Sequence, residues 1–436
     1  MRGLLGMFAR ILFCGAVVWS ILGAGCCREP SGQPASGDRG TEPRAPRVGA
    51  REKGGVLWTF ANPDKRCFHG CPAISEGRVY VTSADGVLFC LDAITGDKRW
   101  HFEAPHGPRF SGISRYPCVS DGRVYVGSSG GQVHCLSAAR GKNLWSIHMG
   151  PPSDCSPIPC VSEGRVYVTI EDLRLYCLDA AKGKPLWSVE IGRGGRGSGN
   201  FPCVVENRVY IVSGSGTLCC LDAVSGSTLW ELEPDSKQDR YSVPVAAGDG
   251  RVYATFGSML LAADAKMGKK LWAVDAGGGR FFSPSYSGQR VYAGNYFSGA
   301  SGGERESSLQ CLDAKVGAKL WEFKVDAPIA SPPCVSDGRV YFGTDWGGPT
   351  SALYCLDAEK GTELWAFKTD YAIETSPSVW NGRVYFGCHD GNVYCLWTGD
   401  PDAGGWQMFG GGPEHGNYNR LERTGSQPSS EQKRPR

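Results

Sequence analysis

The sequence predicts an all-β fold: an eight-bladed β-propeller with four antiparallel strands per blade, its ring closed by the N-terminal strand. Three observations carry this. A motif of the form Gly-Arg-Val-Tyr-apolar recurs eight times. Its surroundings recur with it. The last copy lacks a final strand, and an unused strand of the right kind precedes the first copy.

The motif reads GRVYV at Gly77–Val81, Gly122–Val126 and Gly164–Val168. It continues as NRVYI (Asn207–Ile211), GRVYA (Gly250–Ala254) and QRVYA (Gln289–Ala293), and ends as GRVYF at Gly338–Phe342 and Gly382–Phe386. The eight arginines, Arg78 to Arg383, are 39 to 49 residues apart. That period with strand-like content marks a propeller blade. A Pro-x-apolar strand precedes each copy, as at Pro117–Gly122. A strand ending in CLDA follows, as at Leu353–Ala358, then a Gly turn and a strand carrying Trp. These are strands A to D. Alternation such as Val79 and Val81 against Tyr80 gives each sheet two faces to bury between neighbouring blades. After Asn392–Trp397 no Gly-x-x-x-Trp strand follows in register, whereas GGVLWTF lies at Gly54–Phe60. Trp58 is therefore expected in the same blade as Arg383, which removes two open sheet edges.

The Asp-Ala-x-x-Gly…Trp pattern resembles the repeat of quinoprotein dehydrogenases and their cofactor-free relatives, the pyrroloquinoline-quinone-like (PQQ-like) propellers. Length, blade number and a candidate lipid anchor resemble the BamB-like outer-membrane assembly lipoprotein family. The resemblance spans Gly54 to Trp397 and rests on structural residues. It implies the fold strongly and the function weakly.

The N-terminus has Arg2 and Arg10, then an apolar run, Ile11–Gly25, suited to a signal peptide and too short to span a bilayer. The run ends in ILGAGCC. Small residues before Cys26 resemble a bacterial lipoprotein cleavage site, although Gly23 stands where an aliphatic residue is usual. The expected organisation is a signal peptide over residues 1–26 with Cys26 lipidated, then a disordered tether over 27–53. The propeller follows over 54–419, then a disordered tail over 420–436. The expected location is the cell envelope, anchored to a membrane, on the periplasmic side in a Gram-negative cell. The segment Gly404–Asn419 resembles a closing segment of such propellers, with Trp406 and Phe409 packing on the outer rim.

Net charge is +2 over 436 residues, so no global field recruits nucleic acid. Of 19 cysteines, seven hold one strand-C position: Cys90, Cys135, Cys177, Cys220, Cys311, Cys355 and Cys395. Ala262 holds it in the remaining blade. Four more, Cys118, Cys160, Cys203 and Cys334, share the Pro-Cys-Val position. Positions exchangeable with alanine are small core slots, so these thiols are expected buried and free. Cys219–Cys220 are neighbours in one strand, point to opposite faces and are not expected to bridge. Cys67 and Cys71 lie in a loop with His69; they could form a disulfide or bind metal with Cys155. Asp92, Asp179, Asp222, Asp313 and Asp357 sit before Gly turns and suit turn caps rather than acids. The strand-D tryptophans are expected to pack between blades. No catalytic residue, cofactor or metal site is expected.

Function is expected where the repeat breaks. The A–B and C–D turns hardly vary in length, whereas the D–A and B–C connections do, so one face carries the variable loops. On that face Lys65, Arg66, Arg109, Arg115, Arg193 and Arg196 oppose Asp326, Asp370 and Glu374. The candidate partner-binding residues are Arg109, Arg115, Arg193, Arg196, Arg240, Arg280, Phe281, Phe282, Asp345 and Trp346. Arg and aromatic side chains commonly anchor protein interfaces; a solvated rim of ordinary loop composition is the alternative. The chain is read as a monomeric, non-catalytic envelope scaffold for a protein or peptide partner. The alternatives are a quinone- and calcium-dependent dehydrogenase, or a sugar- or polymer-binding propeller.

Overall fold

Two-residue hairpin turns set the shape of every blade. The Glu76–Gly77, Asp121–Gly122 and Asn381–Gly382 turns have positive φ at both residues. This is the type I′ geometry that matches the twist of the strands it joins. The motif's arginine closes several of these turns: Nη1 of Arg251 donates to Asp249 O (3.3 Å) and that of Arg383 to Asn381 O (2.9 Å).

The computed structural model describes residues 52–104, 113, 116–149, 156–170, 173–191, 201–234, 244–277, 279–296, 307–329, 331–344 and 351–404. The chain divides into Met1–Gly49 and Ala50–Arg436, and every described residue belongs to the second unit. No helix among the described residues is long and apolar enough to cross a membrane. The expected signal peptide, Cys26, the tether, the tail and the Trp406–Phe409 packing all lie outside the described residues.

The described residues form eight antiparallel sheets. Blade one runs A Ala73–Ser75, B Arg78–Thr82, C Val87–Asp92 and D Lys98–Glu103, and the others repeat it. The A strands neighbour one another in a closed cycle, from Ala73–Ser75 round to Ser378–Trp380 and back, so they line the axis. Strands B and C are buried on both faces, whereas strand D alternates exposed and half-buried residues, as at Lys98–Glu103, and forms the rim. Blade eight is completed by the N-terminus as expected. Val56–Ala61 pairs with Asn392–Trp397, placing Trp58 opposite Cys395 in the sheet that holds Arg383. Blade six departs from four strands. Its B and C strands, Arg290–Tyr296 and Ser307–Asp313, are longer, and their extra length offers an edge on which Arg280–Phe281 pairs.

The repeat's letters serve one recurring latch between blades. Tyr125 of blade two donates its hydroxyl to Ala180 O of blade three (3.1 Å), and Trp145 Nε1 donates to the same carbonyl (3.1 Å). The indole lies on Gly183, where an added Cβ would come within 2.6 Å of the ring. Asp179 caps the turn: Oδ1 accepts from Ala181 N (3.0 Å) and Lys182 N (2.8 Å). The other aspartates do the same, and Asp264 joins them in blade five. A complete latch bonds a buried phenol and an indole, at about 1 kcal/mol per bond; between blades three and four Tyr167 donates to Ala223 O (3.0 Å) while Trp187 Nε1 is buried without a hydrogen-bond partner. The broken turn of blade eight is mimicked by the N-terminal chain. Gly54 N donates to Trp397 O (2.8 Å), and Gly54 lies against the indole of Trp365. Thr398 there replaces the alanine, and Tyr341 Oη and Trp365 Nε1 are buried without a hydrogen-bond partner.

Candidate functional site

The two faces differ as expected. Every A–B turn has two residues, and the C–D turns keep one length. The B–C connections range from Gly257–Ser258 to the stretch between Tyr296 and Ser307, and the D–A connections vary likewise. Both variable kinds lie together: Phe68 N, in a D–A connection, donates to Cys388 O, in a B–C turn (3.2 Å).

Of the candidate partner-binding residues, Arg109, Arg115, Arg193, Arg196, Arg240, Asp345 and Trp346 lie outside the described residues. The other three sit together at the loop end of blade six. Phe281 N donates to Gly257 O (3.0 Å) and Phe282 N to Gly294 O (2.9 Å), which fixes the segment on two blades. Arg280 is exposed and Phe282 is half-buried beside Tyr296. Phe281 is different: it is 4% exposed, packed in the core with Tyr253, Tyr286 and Val291. Pairing with Asn295 turns it inward, so its role is to hold Arg280 and Phe282 in place. Lys65, Arg66, Asp326 and Asp370 are exposed on the same face.

The cysteines follow the small-slot expectation. All fifteen described cysteines are buried and outside any disulfide. Burial pushes the Cys177 and Cys90 thiols up to about 12, which removes their nucleophilic form at neutral pH. Cys219 and Cys220 face different inter-blade cores. Cys67 and Cys71 are not bridged to each other, and Cys155 lies outside the described residues. Cys71 Sγ instead accepts from Ser376 N (3.1 Å), tying the first A strand's lead-in to blade eight.

One cluster escaped the sequence. His69, Glu374 and His389 meet on the loop face, with one ligand-type atom of each within 4.8 Å of the others. They come from three separate connections: D–A into blade one, D–A into blade eight, and the B–C turn of blade eight. No spacing signal links such residues, although the lone His69 between two cysteines was visible.

An eight-bladed ring of PQQ-like repeats with a plain turn face and an elaborated loop face is the class that this architecture defines. The family model described as outer membrane protein assembly factor BamB matches residues 45–129, 103–194, 171–303 and 257–404, and the chain belongs to that family. No curated protein matches the chain. Among solved structures, BamB from Moraxella catarrhalis is similar, at 16% identity and TM-score 0.60 over 78% of this chain and 99% of that one. Quinohemoprotein alcohol dehydrogenase from Comamonas testosteroni is similar at 16% identity and TM-score 0.61, over 79% and 76%. The computationally designed Ika8 protein matches at 17% and 0.63, over 79% and 99%. At these identities the structures share the fold alone.

The dehydrogenase alternative would require a bound quinone and calcium. Calcium takes six to eight oxygens. The one metal-type cluster among the described residues has two imidazoles and one carboxylate, a transition-ion set. The adjacent cysteines are unbridged. Among the described residues, this set does not suit calcium.

Proposed function

We propose that the protein is a non-catalytic scaffold of the cell envelope that binds a protein or peptide partner through its loop face. The observation that carries this reading is the asymmetry of the two faces. On one side the A–B turns of all eight blades and the C–D turns of blades one to seven keep one length, whereas the connections on the other side vary. A closed ring fixed by repeated buried Tyr and Trp bonds offers a rigid platform, so a partner loses little entropy ordering it. Arg280 and Phe282, held on the lengthened blade six, supply a cation and an aromatic ring of the kind that anchors interfaces. Arg109, Arg115, Arg193, Arg196, Arg240, Asp345 and Trp346 are proposed to extend the same surface. The resemblance to the assembly-factor family and a lipid at Cys26 would place the disc at a membrane as a monomer.

Calorimetric titration with pyrroloquinoline quinone plus Ca²⁺ tests the non-catalytic part. The expected result is no saturable heat. One-to-one saturable binding would overturn it and make the dehydrogenase reading the better one.

A further inference from the structure

We propose that His69, Glu374 and His389 bind one zinc-class divalent ion, which clasps the first and last blades where the ring closes. This stands apart from the partner-binding reading.

The geometry is that of ligands around a shared ion. Nδ1 of His69 lies 3.6 Å from Oε2 of Glu374, and Nε2 of His389 lies 3.4 Å from the same oxygen. These separations exceed the ordinary N–H···O length of about 2.9 Å. Tetrahedral zinc with bonds of about 2.0–2.1 Å holds its ligand atoms roughly 3.3 Å apart, close to both values. The two imidazoles meet edge to face with centroids 4.5 Å apart. Nε2 of His389 is buried and makes no hydrogen bond. The three side chains are each 17–18% exposed, so one side of the cluster stays open to a water ligand.

The surroundings orient the set. Cys67 Sγ is 3.3 Å from Nε2 of His69. The tautomer that donates Nε2–H to that sulfur turns the Nδ1 lone pair towards Glu374, the outer-shell arrangement common to metal-bound histidines. The backbone beside each ligand is fixed. Phe68 N donates to Cys388 O (3.2 Å), His389 N to Ala372 O (3.1 Å), and Thr375 Oγ1 to Gly387 O (2.9 Å). Two imidazoles and one carboxylate suit zinc and its neighbours and not calcium or magnesium.

Place gives the ion its consequence. His69 follows the closing strand Val56–Ala61, whereas Glu374 and His389 flank strands A and B of blade eight. An ion held by all three joins the two ends of the chain across the seam, adding to the non-covalent closure. Binding to the folded ring alone raises stability by mass action.

The full chain, stripped with chelator, is titrated with Zn²⁺, and Co²⁺ serves as a visible-absorption probe. The expected result is one ion per chain, a thermal midpoint that rises with Zn²⁺ and falls back with chelator, and a cobalt spectrum of a low-coordinate nitrogen and oxygen site. His389→Ala, His69→Ala and the near-isosteric Glu374→Gln should each lower affinity at least tenfold, with the chelator-state midpoint near wild type. Cys67→Ser should weaken binding by about tenfold through the His69 tautomer. If an alanine variant fails to fold, Glu374→Gln decides alone. No binding by wild type at micromolar zinc, or binding unchanged in Glu374→Gln and the double histidine variant, would overturn the proposal.

Discussion

Replacing Trp58 with alanine attacks the closure of the ring at one residue. Trp58 is 9% exposed, packs its ring 5.8 Å from that of Tyr385, and donates Nε1–H to Ala93 O at 3.1 Å. Its indole lies on Gly96, in the turn of blade one. A buried Trp→Ala change costs about 3–5 kcal/mol, of which the lost hydrogen bond is roughly 1. Trp145 supplies the control. It makes the same bond to Ala180 O, sits 6.0 Å from Tyr125 and covers Gly183, but its strand is joined by the C–D turn to strand C of its own blade, Gln132–Ser137. The two substitutions therefore remove similar local energy with different topological results. Loss at Trp58 loosens a strand that no turn joins to its own blade and that keeps its ladder to Asn392–Trp397 and the packing of Phe60 on Phe68 and Phe89, so local opening there becomes the easiest route to disorder. At a factor of ten per 1.4 kcal/mol, native-state proteolysis near Val56–Ala61 should accelerate by about 10²–10³-fold in Trp58→Ala. Trp145→Ala should show a lower denaturation midpoint without early cleavage at that strand. Equal cleavage patterns in the two variants would refute the role given to the closing strand.

Three further outcomes follow from single sites. His134 is buried between Ser128 Oγ (2.9 Å) and Ser146 Oγ (2.8 Å), and burial pushes it down from 6.5 to about 4. The unfolded chain therefore binds the proton first. Stability should be flat above pH 6.5 and fall by about 3 kcal/mol as pH drops from 6.5 to 4; His134→Phe should lose that slope in denaturant titrations across the range. Gly141→Ala puts a Cβ 2.6 Å from the Trp100 ring at φ +66, whereas Gly122→Ala meets nothing within 4 Å at φ +68. Both incur about 1–2 kcal/mol of left-handed strain, and only Gly141→Ala should go clearly beyond it in chemical denaturation. A thiol reagent at neutral pH should label none of the fifteen described cysteines rapidly in the native protein and all of them after denaturation, read by mass.

The blade was legible because its physics repeats. Trp, Tyr, Asp and Gly each serve the same latch in successive blades, so their spacing alone implied strand order and the exchange of Val56–Ala61 into blade eight. The loop face was legible only as a contrast in length. Phe281 read as an anchor because aromatic content does not say which way a short strand turns; its pairing with Asn295 sends it into the core. The extra strand of blade six was missed because it depends on the length of its partner, not on its own residues. His69, Glu374 and His389 were invisible as a set, since their meeting depends on ring closure rather than on any local pattern.

The most direct test of the scaffold account is site-specific photo-crosslinking in intact cells, with the probe placed in turn at Arg280 and Phe282 on the loop face and at Ile94 and Val316 on the turn face, where both apolar residues are exposed. The account predicts a discrete higher-mass protein adduct from positions 280 and 282 and none from 94 or 316. Adducts confined to the turn face, or none from the loop face, would contradict it.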